Sequence, residues 1–137
     1  VDALRALRIE RRWWARGDRK TALLVPGTGE MCCLGFLGLA CGIHPQELYG
    51  EGEPSEVRTE AWPRWLARTE YEHDECGNED CTGEDDAGCQ ATLVVRETDL
   101  CVQAIKINDD PDLGDAERER QLTALFATAG VAVEFVD

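Results

Sequence analysis

The sequence predicts a single small α+β domain over residues 1–137, in which a few-stranded sheet is packed by about three helices. An acidic, cysteine-rich loop at residues 70–90 is expected to stand apart from it. Three observations carry this. The chain is one domain long and 43% apolar, enough to bury a core. Apolar residues recur at helical spacing in several stretches, while the C-terminal stretch alternates as a strand does. The segment from 70 to 90 has almost no apolar residues and no core of its own.

Leu4, Leu7 and Ile9, followed by Trp13 and Trp14, predict a helix from about residue 2 to 16, ended near Gly17. Thr21–Val25 reads as a short strand. Pro26-Gly27-Thr28-Gly29 makes a tight turn, because Pro presets one dihedral and Gly permits the left-handed one. A helix from about Cys33 to Ala40 follows, stopped at Gly42. His44–Leu48 suits a one-turn helix with Pro45 in its first turn. Trp62-Pro63-Arg64-Trp65-Leu66 is an aromatic cluster and a candidate short helix starting at Pro63. Ala91–Val95 reads as a strand, and Thr98–Ile107 as a helix. Asp115 is expected to cap the next helix, whose stripe is Leu122, Leu125, Phe126 and Ala129 and whose end is Gly130. Val131–Val136 then alternates as a half-buried terminal strand.

No apolar run reaches the roughly 18 residues of a spanning helix, so no membrane role is expected. The start, Val1-Asp2-Ala3-Leu4-Arg5, lacks the apolar core of a secretory signal. The seven cysteines are odd in number, and Cys32, Cys33 and Cys101 sit among apolar residues. They read as reduced core thiols, which favours a cytoplasmic setting.

Net charge is −14 and unevenly spread. Between Arg68 and Arg96 there is no Lys or Arg, while Glu70, Glu72, Asp74, Glu75, Glu79, Asp80, Glu84, Asp85 and Asp86 fall there. The N-terminal segment is basic, from Arg5 to Lys20. Overall acidity argues against binding phosphate backbones directly and for a partner with a basic surface. Glu79, Asp80, Glu84, Asp85 and Asp86 are the candidate partner-binding residues.

Four chemistries are weighed. Cys32 or Cys33 at a helix start has the position of an activated thiol nucleophile, with His44 or His73 as the available base; packing as small core residues is the simpler reading. His73, Cys76, Cys81 and Cys89 form a sufficient tetrahedral zinc set in a segment too polar to fold by burial. A Cys76–Cys81 or Cys81–Cys89 disulfide and a plain solvated loop are the other readings of that segment. Asn108, Asp110, Asp112 and Glu119 fall at EF-hand-like spacing, but Leu113 occupies the glycine position. A polar turn capping the following helix explains these residues better. Trp13, Trp14, Trp62 and Trp65 offer a base-stacking surface or, if exposed as a pair, a partner-binding hot spot. No phosphate loop, nucleophile elbow or zinc-protease helix motif is present.

Gly29-Glu30-Met31-Cys32-Cys33-Leu34-Gly35-Phe36, with Asn108-Asp109-Asp110, Arg118-Glu119, Phe126 and the ending from Gly130 to Asp137, resembles a group of small uncharacterised proteins encoded by bacteriophages and prophages. Trp13-Trp14, Arg16-Gly17 and Leu23-Leu24 fit the same pattern, which covers both ends of the chain but not the acidic cysteine segment. The resemblance implies a phage accessory protein working in a bacterial cytoplasm, and brings no catalytic residue with it. The combined expectation is a non-enzymatic protein that binds a host or phage protein, with a zinc-stabilised module or a Cys32/Cys33 enzyme as alternatives.

Overall fold

The computed structural model describes residues 4–17, 21–73 and 91–137. Eight elements follow one another: β1 (Ala6–Glu10), α1 (Cys33–Ala40), α2 (Pro45–Leu48), β2 (Ala67–His73), β3 (Ala91–Glu97), α3 (Asp99–Asp109), α4 (Asp115–Ala127) and β4 (Ala132–Val136). The fold is the expected small α+β domain. Its strands form two separate pairs, β1 parallel to β4 and β2 antiparallel to β3. No described helix is long and apolar enough to cross a membrane.

At the N-terminus the outcome differs from expectation. Residues 6–10 form a strand, and Arg11–Trp13 a single 3-10 turn, where a helix over 2–16 was predicted. Leu7 and Ile9 are two apart and both buried, with Ala6 and Arg8 facing out, so the operative period is two. Pairing with β4 sets Leu7 beside Val133 and Ile9 beside Phe135. Isolated periodicity did not reveal a partner that lies at the far end of the chain.

Four further corrections are smaller. Residues 21–25 make a single bridge, Leu24 to Tyr49, in place of a strand. Pro63–Leu66 forms a turn closed by the Leu66 and Ala67 amides on the Pro63 carbonyl, and the chain passes from it into β2 instead of forming a helix. The acidic loop does not begin at residue 70, because Glu70 to His73 belong to β2, which alternates its faces against β3. Gly114, not Asp115, holds the N-cap of α4; Asp115 sits in the first turn, where its charge complements the helix dipole.

The helix α1 runs over the predicted residues and is buried nearly all round, as an apolar helix without a polar face must be. Its glycines permit close approach. A Cβ on Gly35 would overlap the Leu23 carbonyl oxygen, so the 21–25 segment lies directly on the helix backbone. Leu34 and Leu37 join Leu7, Ile9, Trp14, Leu48, Leu66, Leu122 and Phe126 in one core.

Among the described residues two polar side chains are buried, Asn108 and Arg118, and Asn108 is the one bonded inside that core. Asn108, in the last turn of α3, is fully buried. Its Oδ1 accepts from the Trp14 indole Nε1 at 2.7 Å and from the Cys33 amide at 3.0 Å. Its Nδ2 donates to the Ala15 carbonyl at 3.0 Å and to Asp109 Oδ1 at 2.9 Å. Every hydrogen-bonding position of the carboxamide is filled. Cys32, the N-cap of α1, makes no side-chain cap, so Asn108 caps that helix from another element.

Replacing Asn108 by Ala should remove its hydrogen bonds to the Trp14 indole, the Cys33 amide and the Ala15 carbonyl, all buried in the core. Each such loss costs roughly 1–3 kcal/mol. We expect a loss of at least about 3 kcal/mol in urea unfolding, against under about 0.5 kcal/mol for Gln103→Ala on the exposed face of the same helix.

Candidate functional site

The cysteine pair sits where the sequence placed it, at the start of α1, yet its surroundings oppose reactivity. Cys32 and Cys33 are both buried. Burial pushes the Cys32 thiol up to about 11, outweighing the backbone hydrogen bonds from the first turn that would lower it. Cys33 lies well above the ordinary thiol value for the same reason, reinforced by the neighbouring Cys32. Its Sγ lies 4.0 Å from the Ala104 carbonyl oxygen. His44 is exposed, and its Nδ1 accepts from the Gln46 amide at 3.1 Å, capping α2. Among the described residues, then, the proximal histidine is occupied with helix capping. Cys101 is buried and shifted upward too, while Cys41, at the C-cap of α1, is half-buried.

The residues at EF-hand-like spacing take separate structural roles. Asn108 is committed to the core. Asp110 Oδ1 accepts from the Asp112 amide at 2.9 Å, a local turn. Both Glu119 oxygens are taken by Arg11, from Nε at 2.9 Å and from its terminal nitrogen at 2.8 Å. The polar turn preferred over calcium is present at Asp110–Asp112, while Asn108 and Glu119 serve the core and Arg11 instead. Arg118, which sequence reasoning cited only as part of a family pattern, is the residue that organises this turn. Buried at 2% exposure, it donates to the carbonyls of Ile107, Asp110 and Leu113 and pairs with Asp115 at 2.9 Å. It closes the C-terminus of α3 onto the start of α4. An Arg four residues past a Gly-Asp helix start was the available signal.

The tryptophans divide as two buried and two more exposed. Trp14 and Trp62 are core residues, while Trp13 is 42% exposed and Trp65 half-buried. Arg16 covers the Trp14 ring at 4.5 Å, and Arg12 lies over Trp13 at 5.9 Å. The basic N-terminal segment is partly spent internally: Arg11 pairs with Glu119 and Asp137, and Arg16 with Asp115.

For the acidic segment, the structure supplies a frame. β2 and β3 pair over seven residues, from Ala67–Glu97 to His73–Ala91. The chain joining their ends is 74–90. Arg96 bridges both Glu70 and Glu72 on one face of this ribbon. His73 is the last residue of β2. The other zinc candidates, Cys76, Cys81 and Cys89, and the partner-binding candidates Glu79, Asp80, Glu84, Asp85 and Asp86 lie outside the described residues. Among the described residues no three His, Cys, Asp or Glu side chains converge as a metal site. Comparison with family models, with curated proteins and with solved structures gives no match.

The thiols make a pH prediction. A thiol at 9 in the unfolded chain and about 11 when folded favours folding fully below pH 9. That contribution is lost as pH rises from there through 11, because the unfolded chain ionises first. Alkaline unfolding followed by circular dichroism should therefore show a stability loss above pH 9, on the order of 2 kcal/mol from Cys32 alone. A Cys32→Ser/Cys33→Ala variant should lose the share of this slope that those two thiols supply, while the upward-shifted Cys101 and Cys41 keep the remainder. In the folded protein at neutral pH, Cys41 should alkylate before Cys32, Cys33 or Cys101, as mass spectrometry of the modified peptides would read out.

Proposed function

We propose that this chain is a non-enzymatic phage accessory protein of the bacterial cytoplasm that binds a host or phage protein through negative charge. In its most specific form, the carboxylates occupy a basic nucleic-acid groove on that partner. The observation that carries this reading is the β2–β3 ribbon. Its pairing fixes the two ends of the acidic segment side by side, at His73 and Ala91. At the base of the ribbon Arg96 answers Glu70 and Glu72. The carboxylates from Asp74 to Asp86 have no Lys or Arg near them in sequence, so negative charge is concentrated in that stretch of the sequence. Buried, protonated thiols at the start of α1 support a binding role over covalent catalysis. The phage setting rests on the resemblance of the two chain ends.

A second reading has its own support. Because His73 pairs across to Ala91, a site made of His73, Cys76, Cys81 and Cys89 would start from a closed loop, which lowers the entropy of assembling it. Zinc there would organise the same surface instead of competing with it.

Two experiments test these readings. Glu79→Gln, Asp80→Asn, Glu84→Gln, Asp85→Asn and Asp86→Asn together should leave unfolding unchanged. They should slow association with basic DNA-binding proteins of the bacterial host by roughly 10–1,000-fold and flatten its salt dependence. Equal binding by the quintuple variant would remove the charge reading. For zinc, protein purified without chelator should carry about one metal ion per chain. Chelation should then speed amide exchange near His73 and Ala91 while leaving α1, α3 and α4 protected; metal-free protein would remove this reading.

A further inference from the structure

On the side of the molecule where β2 begins lies an open groove of about 600 Å³. Its walls include Trp62, Pro63 and Trp65, its rim Glu60 and Arg64, and Cys41 lines it as well. Small-molecule sites have volumes of roughly 300–1,000 Å³, mostly apolar walls and a few convergent polar groups. We infer that this groove binds a small hydrophobic organic cation, an apolar body bearing an ammonium or guanidinium head. The inference does not depend on the acidic-segment reading above.

The first argument is that the aromatic wall is built in advance of any ligand. The Trp62 indole N–H donates to the Val57 carbonyl at 3.4 Å, and its ring packs beside Gly38, where a Cβ would come within 3.1 Å of it. Trp65 stands edge-on to Phe126, with ring centroids 5.9 Å apart and planes at 87°. The Thr98 hydroxyl lies 2.8 Å from the Trp65 carbonyl oxygen and 2.9 Å from that of Leu66, which fixes the turn carrying both tryptophans. Such a wall costs little ordering when a ligand enters.

The sign of the charge is the second argument. Glu60 makes no ion pair among the described residues; its partner is the neutral Tyr71 phenol, which donates to Oε1 at 3.2 Å. A carboxylate held by a phenol, in a groove that the half-buried Trp65 also lines, is a combination suited to positive charge, since indole rings attract cations. The chain's net charge of −14 draws cations toward it from a distance. Arg64 is the one opposing charge among the described groove residues, and it is exposed.

The test uses the intact chain and the probe phenyltrimethylammonium, with tert-butylbenzene as its uncharged isostere and benzoate as an anionic control. The indole N–H signals of Trp62 and Trp65 in nitrogen-15 spectra report binding. Saturable shifts of both signals with phenyltrimethylammonium are expected, with binding about tenfold weaker for the isostere. Glu60→Gln should weaken the cation about tenfold, while Arg64→Ala should leave it unchanged or tighten it. Bound probe should also slow alkylation of Cys41. Equal binding of the isostere, preferential binding of benzoate, or no shift of either indole with any probe overturns the inference. Both variants alter exposed side chains, so thermal unfolding should match the parent chain and a folding defect cannot imitate the result.

Discussion

A carboxamide buried away from water must find partners for two donor hydrogens and two acceptor sites, and at Asn108 all of them come from the surrounding chain. That requirement draws three distant parts of the sequence to one point. The indole of Trp14 and the carbonyl of Ala15 arrive from the segment after β1, the Cys33 amide from the start of α1, and the carboxamide itself from the end of α3. The backbone repeats the connection, since the Gly17 amide donates to the Asn108 carbonyl at 2.8 Å. Apolar packing alone tolerates sliding of one helix past another. A fully satisfied polar group does not, because any shift strands donors in a low-dielectric interior.

Charged groups extend the same logic outward. Arg118 satisfies the open carbonyls at the end of α3, and Arg11 bridges α4 to the last residue, Asp137, while lying 6.0 Å from the Phe135 ring. The basic N-terminal residues therefore do part of their work against α4, where Glu119 and Asp115 receive them. The ribbon answers its own acids through Arg96. Among the described residues, Arg11, Arg16, Arg96, Arg118 and Arg120 each act as local ties to a nearby acid.

Elements whose reasons are local were legible in the sequence. α1, α2 and α3 have their own stop, proline or cap signals, and Thr98 caps α3 by accepting from the Cys101 amide. β4 alternates, and Gly130 ends the helix before it. What was missed depends on distant partners. β1 is a strand because β4 lies beside it, and the Leu4–Leu7 spacing that suggests a helix carries no information about that. The same holds for the site. Cysteine position at a helix start was read correctly, but whether the thiols ionise depends on burial by Trp14, Ala104 and their neighbours, which no spacing encodes. Asn108 and Glu119 matched a calcium pattern by residue type, whereas their actual partners, Trp14, Cys33 and Arg11, lie far from them in sequence.

The parallel pairing of β1 with β4 has a consequence for how this molecule comes into being. The sheet pairs residues at opposite ends of the described chain, such as Glu10 with Val136, and the Arg11–Asp137 ion pair just beyond it joins positions 126 apart. During synthesis β1 is made before β4, so Leu7 and Ile9 stay with their backbone edge unpaired until the elements between the two strands have been made. Closure of so long a loop is entropically slow relative to the helical hairpins and the β2–β3 ribbon, which form from neighbours. The two-stranded sheet is thus the latch of the fold, the last piece to close and the first whose loss would expose the core from its edge.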